Sequence, residues 1–96
     1  MPTYAWEDRF SRQFQRMTPA QQASFLSEIP RFVAFLRTGQ ISRGLRLKGL
    51  KGHPGLFELS WAVDGRAIFE YGVAVRPGER HVIWLRIGSH DILRDL

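Results

Sequence analysis

Six of the fourteen basic residues of this 96-residue chain fall in one stretch that has no carboxylate. Between Glu28 and Glu58 lie Arg31, Arg37, Arg43, Arg46, Lys48 and Lys51, a local charge of +6, while the rest of the chain carries eight basic against nine acidic residues. The formal net charge of +5 therefore belongs to residues 29–57. A patch of one sign attracts a polyanion, nucleic acid being the commonest, or an acidic protein; the alternative is a solvated face that aids solubility. Twelve of the fourteen cations are arginine. That favours bidentate phosphate contacts and stacking on bases, although genomic base composition also enriches arginine. Groups able to move protons are sparse. The three histidines, His53, His81 and His90, have no metal-ligand spacing, and the chain has no cysteine, so neither a zinc site nor a disulfide framework is expected. We expect no cofactor.

These residues must be held by one domain spanning 1–96, because a chain of this length with 44% hydrophobic residues, seven Phe and three Trp can bury a single modest core. The N-terminus carries Glu7, Asp8 and Arg9 where a signal peptide would be basic then apolar, and no apolar run is long enough to span a membrane. The expected location is the cytoplasm.

The first half reads as helical and the second as stranded, which points to an α+β fold. Thr3–Trp6 has β-favouring types and precedes the acidic pair Glu7–Asp8, which favours a helix start. In that helix Phe10, Phe14 and Met17 share a face. Thr18, Pro19 and Gln21 form a capping box with proline at the first helical position, so a second helix begins at Pro19. Its apolar stripe is Phe25, Leu26, Ile29, Phe32, Val33 and Leu36. Pro30 predicts a kink or break near Ile29, and Gly39 reads as the C-cap. Residues 40–55, rich in glycine and positive charge, read as a loop with room for a short strand at Leu45–Leu47. From Leu56 the period is two: Phe57, Leu59 and Trp61 face one way, Glu58 and Ser60 the other, as in a half-buried strand. Asp64-Gly65 signals a hairpin into Arg66–Gly72, where Ala67, Phe69 and Tyr71 share a face. After a turn at Arg76–Glu79, His81, Ile83, Leu85 and Ile87 alternate with Val82, Trp84 and Arg86.

Three segments carry a family likeness: Leu-Lys-Gly-Leu-Lys-Gly-His-Pro-Gly-Leu-Phe-Glu-Leu (47–59), Asp-Gly-Arg-Ala-Ile-Phe-Glu-Tyr (64–71) and Ile-Trp-Leu-Arg-Ile-Gly-Ser-His-Asp-Ile-Leu (83–93). With the order β-α-α-β-β-β, the chain resembles the RelE/ParE superfamily of type II toxins, in particular the RelE-like mRNA interferases with a C-terminal Gly-Ser/Thr-His motif. The likeness spans essentially the whole chain, and its specific motifs lie in residues 45–93. It implies two N-terminal helices packed on a three- to four-stranded, mainly antiparallel sheet.

The resemblance also implies roles. Arg66, directly after the Asp-Gly turn, matches an arginine that helps hold the scissile phosphate, and His90 matches a C-terminal histidine that transfers protons. Imidazole, with an ordinary pKa of about 6.5, suits either acid or base. Arg46, Lys48 and Lys51 match a loop that approaches RNA backbone. Outside the family an arginine beside a turn and a histidine near a chain end are more often solvated. His53 is either a second acid/base group or a turn residue. Asp91 either orients His90 or caps a final helical turn, and capping is favoured. Trp61 reads as core, whereas Trp84 shares a predicted face with Arg86 and is a candidate for base stacking. One departure stands out. RelE places lysines on its second strand facing RNA, where this chain has Glu58 and Ser60. Glu58 is a general base, a partner of Arg66 or Arg86, or a mark of altered cleavage; the ion pair is favoured.

The implied activity is ribosome-dependent, metal-independent cleavage of messenger RNA, with a cognate antitoxin as the resting partner. The alternatives are a ParE-like toxin that inhibits a DNA topoisomerase without hydrolysis and a degenerate member that only binds its antitoxin.

Overall fold

The computed structural model describes the backbone of residues 1–96 and the side chains of all but Asp95. Its elements are β1 (Thr3–Trp6), α1 (Asp8–Arg16), α2 (Pro19–Thr38), β2 (Arg46–Gly49), β3 (Phe57–Ser60), β4 (Gly65–Gly72), β5 (His81–Ser89) and a closing 3-10 helix (His90–Asp95). The strands form one sheet in the order β1-β5-β4-β3-β2. β1 runs parallel to β5, and the other neighbours are antiparallel. The architecture is α+β as expected, with five strands in place of three or four. The fifth strand is β2, Arg46–Gly49, where the sequence left room for a short strand at Leu45–Leu47. Its alternation is short but real: Arg46 and Lys48 are exposed while Leu47 packs into the core.

The two helices form locally as their signals dictate. Thr18 Oγ1 accepts from Gln21 N, and the Gln21 side chain accepts from Thr18 N, which closes the capping box that starts α2. At the other end Gly39 adopts φ 76°, the left-handed C-cap conformation glycine supports best. Between them α2 runs unbroken through Pro30, so of the expected kink or break the break does not occur. Pro30 and Leu26, one turn before it, both lie on the exposed side, where a carbonyl deprived of its donor can face water. Phe25, Phe32 and Leu36 hold the inner side to the sheet. Leu26, expected in the apolar stripe, is 54% exposed; the buried line instead passes through Glu28, which pairs with Arg31.

The core between helices and sheet is aromatic: Phe10, Phe25, Phe32, Phe69 and Trp84 meet edge-on or offset, with centroids about 5–6 Å apart. The sheet's second face is also covered, which the half-buried reading of the strands did not anticipate. Ile68, Leu85 and Ile92 form a smaller cluster there, flanked by Leu50, Leu56 and Leu93 from the β2–β3 loop and the 3-10 helix. A bulge in β5 sorts its side chains between the two faces. Ile68 pairs with Arg86 but Phe69 pairs with Trp84, so Leu85 is the extra residue. Past it the alternation inverts. Ile87 joins Val82 and Trp84 under the helices, and Arg86 turns to the other face.

Candidate active site

The face turned away from the helices presents two adjoining rows of side chains. Strand register places Lys48, Glu58, Ile68 and Arg86 in one row, and Arg46, Ser60, Arg66 and Gly88 in the next. Four cations therefore surround one carboxylate. Glu58 is 2% exposed, and its Oε1 lies 3.3 Å from Lys48 Nζ, whose side chain is largely solvated. The expected ion pair of Glu58 thus exists, but its partner is the cross-strand Lys48 and neither Arg66 nor Arg86. Direct opposition in the register explains the choice, since Glu58 meets Arg66 only on the diagonal and Arg86 only across Ile68.

Each arginine is positioned by its own surroundings. Arg66 Nη1 donates to the carbonyls of Gly65 at 2.9 Å and of Ala62 and Val63 at 3.3 Å, which ties the guanidinium to the β3–β4 loop. Arg86 Nη1 donates to Leu85 O at 2.8 Å and lies 3.9 Å from Glu7 Oε1. Glu58 Oε2, Arg66 Nε and Arg86 Nε are buried without a hydrogen-bond partner among the described residues. Unpaired buried polar atoms on one face cost stability, about 1–3 kcal/mol each.

His90 opens the 3-10 helix at the end of β5, one residue past the Gly65–Ser89 pair, and its side chain is exposed. Its backbone N–H donates to Asp64 Oδ1 at 3.4 Å. His90 and Arg66 therefore stand at the same end of the sheet, held there by the same loop. The helical turn is capped by Ser89, whose hydroxyl accepts from Asp91 N; Asp91 itself pairs with Arg94 at 3.8 Å, so the expected cap at Asp91 is displaced by two residues.

Three of the expected site residues are not gathered here. His53 sits in the β2–β3 loop, its N–H bound to Leu50 O and its carbonyl accepting from Leu56 N. That loop adjoins the Phe57–Phe69 pair, four β4 positions from the Gly65–Ser89 pair next to His90. At strand rise this separates the two ends by about 13 Å. His53 is thus a turn residue apart from His90. Lys51 is exposed on the same distant loop. Trp84 is 5% exposed and packed against Phe10, Phe25, Phe32 and Phe69, because the bulge at Leu85 puts it on the face opposite Arg86. It is therefore a core residue. Two participants escaped sequence reasoning. Asp64 was legible only as a turn residue, and Glu7 only as a helix-start carboxylate.

Among the described residues no group of three or more His, Cys, Asp or Glu side chains is arranged to hold a metal ion. Among the described residues no helix is long and apolar enough to cross a membrane.

No protein-family model matches the sequence, and no curated protein matches it. Solved structures do match its fold. A chain of the RelB–RelE antitoxin–toxin complex from Methanococcus jannaschii superposes with a TM-score of 0.63 at 12% identity, covering 95% of each chain. The YoeB/ParE toxin from Agrobacterium tumefaciens gives 0.67 at 14% identity, over 92% of this chain and 98% of that one. A chain of the E. coli DinJ–YafQ toxin–antitoxin complex gives 0.62 at 13% identity over 96% of each. The fold is therefore that of RelE- and YoeB/ParE-type toxins, as the motifs in residues 45–93 lead one to expect.

Proposed function

We propose that this chain is the toxin of a type II toxin–antitoxin pair and that it cuts messenger RNA on the ribosome. The observation that carries the reading is the clustering of Arg46, Lys48, Arg66 and Arg86 in two adjacent rows, with His90 at their open end. The chemistry requires little else. A ribose 2′-hydroxyl attacks the adjacent phosphorus, a base takes the hydroxyl proton, an acid protonates the departing 5′-oxygen, and cations hold the phosphorane. The products are a 2′,3′-cyclic phosphate and a free 5′-hydroxyl. In this reading the guanidinium groups supply the positive charge, so no metal takes part.

Within that scheme His90 is the general acid or base, being the exposed imidazole at the site. Arg66 and Arg86 stabilise the phosphorane, and Arg46 and Lys48 hold the flanking backbone of the RNA. Glu58 is too deeply buried to meet a substrate and serves to fix Lys48. The structural neighbours include complexes with the antitoxins RelB and DinJ, and by analogy a cognate antitoxin is the resting partner here.

Induction without an antitoxin should arrest growth, and primer extension should reveal new in-frame cuts in cellular messages. Those cuts should vanish in His90→Ala and fall about 10²–10³-fold in Arg66→Ala, the usual cost of losing one charge stabiliser. Arrest with intact messages and DNA damage would instead identify a topoisomerase poison. Absence of arrest would leave only an antitoxin-binding role.

A further inference from the structure

Beyond Trp84 the outer edge of β5 has no strand beside it, because β1 ends at Trp6. Helix α1 takes over there. Glu7 N, at the start of the helix, donates to Trp84 O at 3.0 Å, and further along Gln13 Oε1 accepts from Ile87 N at 2.9 Å. From Glu7 to Gln13 a helix rises about 9 Å, and from Trp84 to Ile87 a strand advances about 10 Å, so the two elements keep step. These contacts fall on either side of Leu85 and Arg86. Helix α1 thus spans the bulge.

The contact at Ile87 exists only in the bulged register. The N–H and C=O of one strand residue point to the same side, and successive residues alternate. Arg80 and Trp84 turn their carbonyls to the β1 side, where Thr3 N and Glu7 N donate to them. In an unbulged strand the next N–H on that side would be that of Arg86, and Ile87 N–H would face β4. The extra residue at Leu85 moves the count by one. Ile87, 1% exposed, therefore points its N–H out of the sheet edge, and Gln13 supplies the acceptor without which a buried donor would go unpaired. The segment that follows is held closely. A Cβ on Gly88 would come within 2.9 Å of Ile92 Cγ2 in the 3-10 helix, and His90 N donates to Asp64 Oδ1. A shift at Ile87 is thus passed to Arg86 on one side and His90 on the other.

We propose that Gln13 is a positioning residue, which holds β5 in its bulged register and through that strand sets Arg86 and His90 at the candidate active site. The catalytic consequence rests on the RNA-cutting reading, whereas the register can be measured without any cleavage.

The test compares two variants of the full chain. Gln13→Leu has similar bulk and no acceptor, while Gln13→Glu keeps the acceptor and places its charge near Arg9 and Arg16 on the same helix. Amide resonances of Ile87, Gly88 and His90 should move in Gln13→Leu while those of Tyr71 and Val82, on the near side of the bulge, stay in place. In Gln13→Glu the His90 resonance should return to its parent position. Message cuts at matched protein level should fall at least about tenfold in Gln13→Leu, since a misplacement of about 1 Å can cost on the order of 10²-fold, and should recover to within about threefold of the parent in Gln13→Glu. If Gln13→Leu does not fold, Gln13→Asn, one methylene shorter, should give the same pattern. Unchanged resonances at Ile87 and His90, unchanged cuts, or no recovery in Gln13→Glu each overturn the positioning role. Movement at Val82 as large as at Ile87 overturns it too, because that marks a general loss of structure. A parent chain that leaves messages intact sinks the endoribonuclease alone, since the resonances still decide the role of Gln13.

Discussion

On the helix-covered side of the sheet, Phe32, Phe69 and Trp84 pack with centroids 5.0–5.3 Å apart, while the other side of the same strands carries Lys48, Glu58, Arg66 and Arg86. Aromatic area stabilises the first face. The second leaves three buried polar atoms unpaired and relies on the small Ile68–Leu85–Ile92 cluster for its apolar contact. One bulged residue, Leu85, keeps these two chemistries apart. Without it Arg86 would be driven into the aromatic core and Ile87 out of it. In the proposed reading, stability and chemistry thus fall on opposite faces of a sheet only one residue thick.

The sharpest way to break this division is Phe32→Ala. Phe32 is 2% exposed and touches both Phe69 and Trp84, so its truncation should cost about 3–5 kcal/mol, read as a lower urea midpoint. Ile92→Ala should cost less, about 2 kcal/mol, because Ile92 belongs to the smaller cluster. A loss as great as that of Phe32→Ala would mean that the second face is a core of equal weight. Lys48→Ala should cost about 1 kcal/mol by leaving Glu58 a buried carboxylate without its cation. Adding Glu58→Gln to that variant should restore most of the loss, and a failure to do so would show that the pair is not what holds Glu58 in place. Arg37→Ala, on the exposed last turn of α2, should stay within about 0.5 kcal/mol of the parent.

Much of this fold is legible without coordinates, because its signals are local. Thr18, Pro19 and Gln21 start α2 and Gly39 ends it by backbone chemistry that needs no distant partner. The β3–β4 hairpin follows from Asp64-Gly65, although Gly65 has an ordinary φ and is required for its closeness to Trp61. What sequence conceals is set by tertiary contact. Strict alternation through His81–Ile87 placed Trp84 beside Arg86, and the bulge at Leu85, which carries no signature of its own, reverses that. Pro30 signals a break that the packing of Phe25, Phe32 and Leu36 overrides. Arg66 and His90 emerge from the family likeness, and the fold puts them at one sheet end. His53 shares their motif region but lies at the other end, a separation visible only from strand register.

The central claim is that RNA is cut on the face away from the helices, and charge reversal on each side of the molecule tests it most directly. Arg46→Glu places a carboxylate in the cationic rows, whereas Arg37→Glu makes the same change on an exposed turn of α2. Message cuts mapped by primer extension after matched induction should fall at least about tenfold for Arg46→Glu and match the parent for Arg37→Glu. Equal cutting by both variants, or a greater loss in Arg37→Glu, would contradict the assignment.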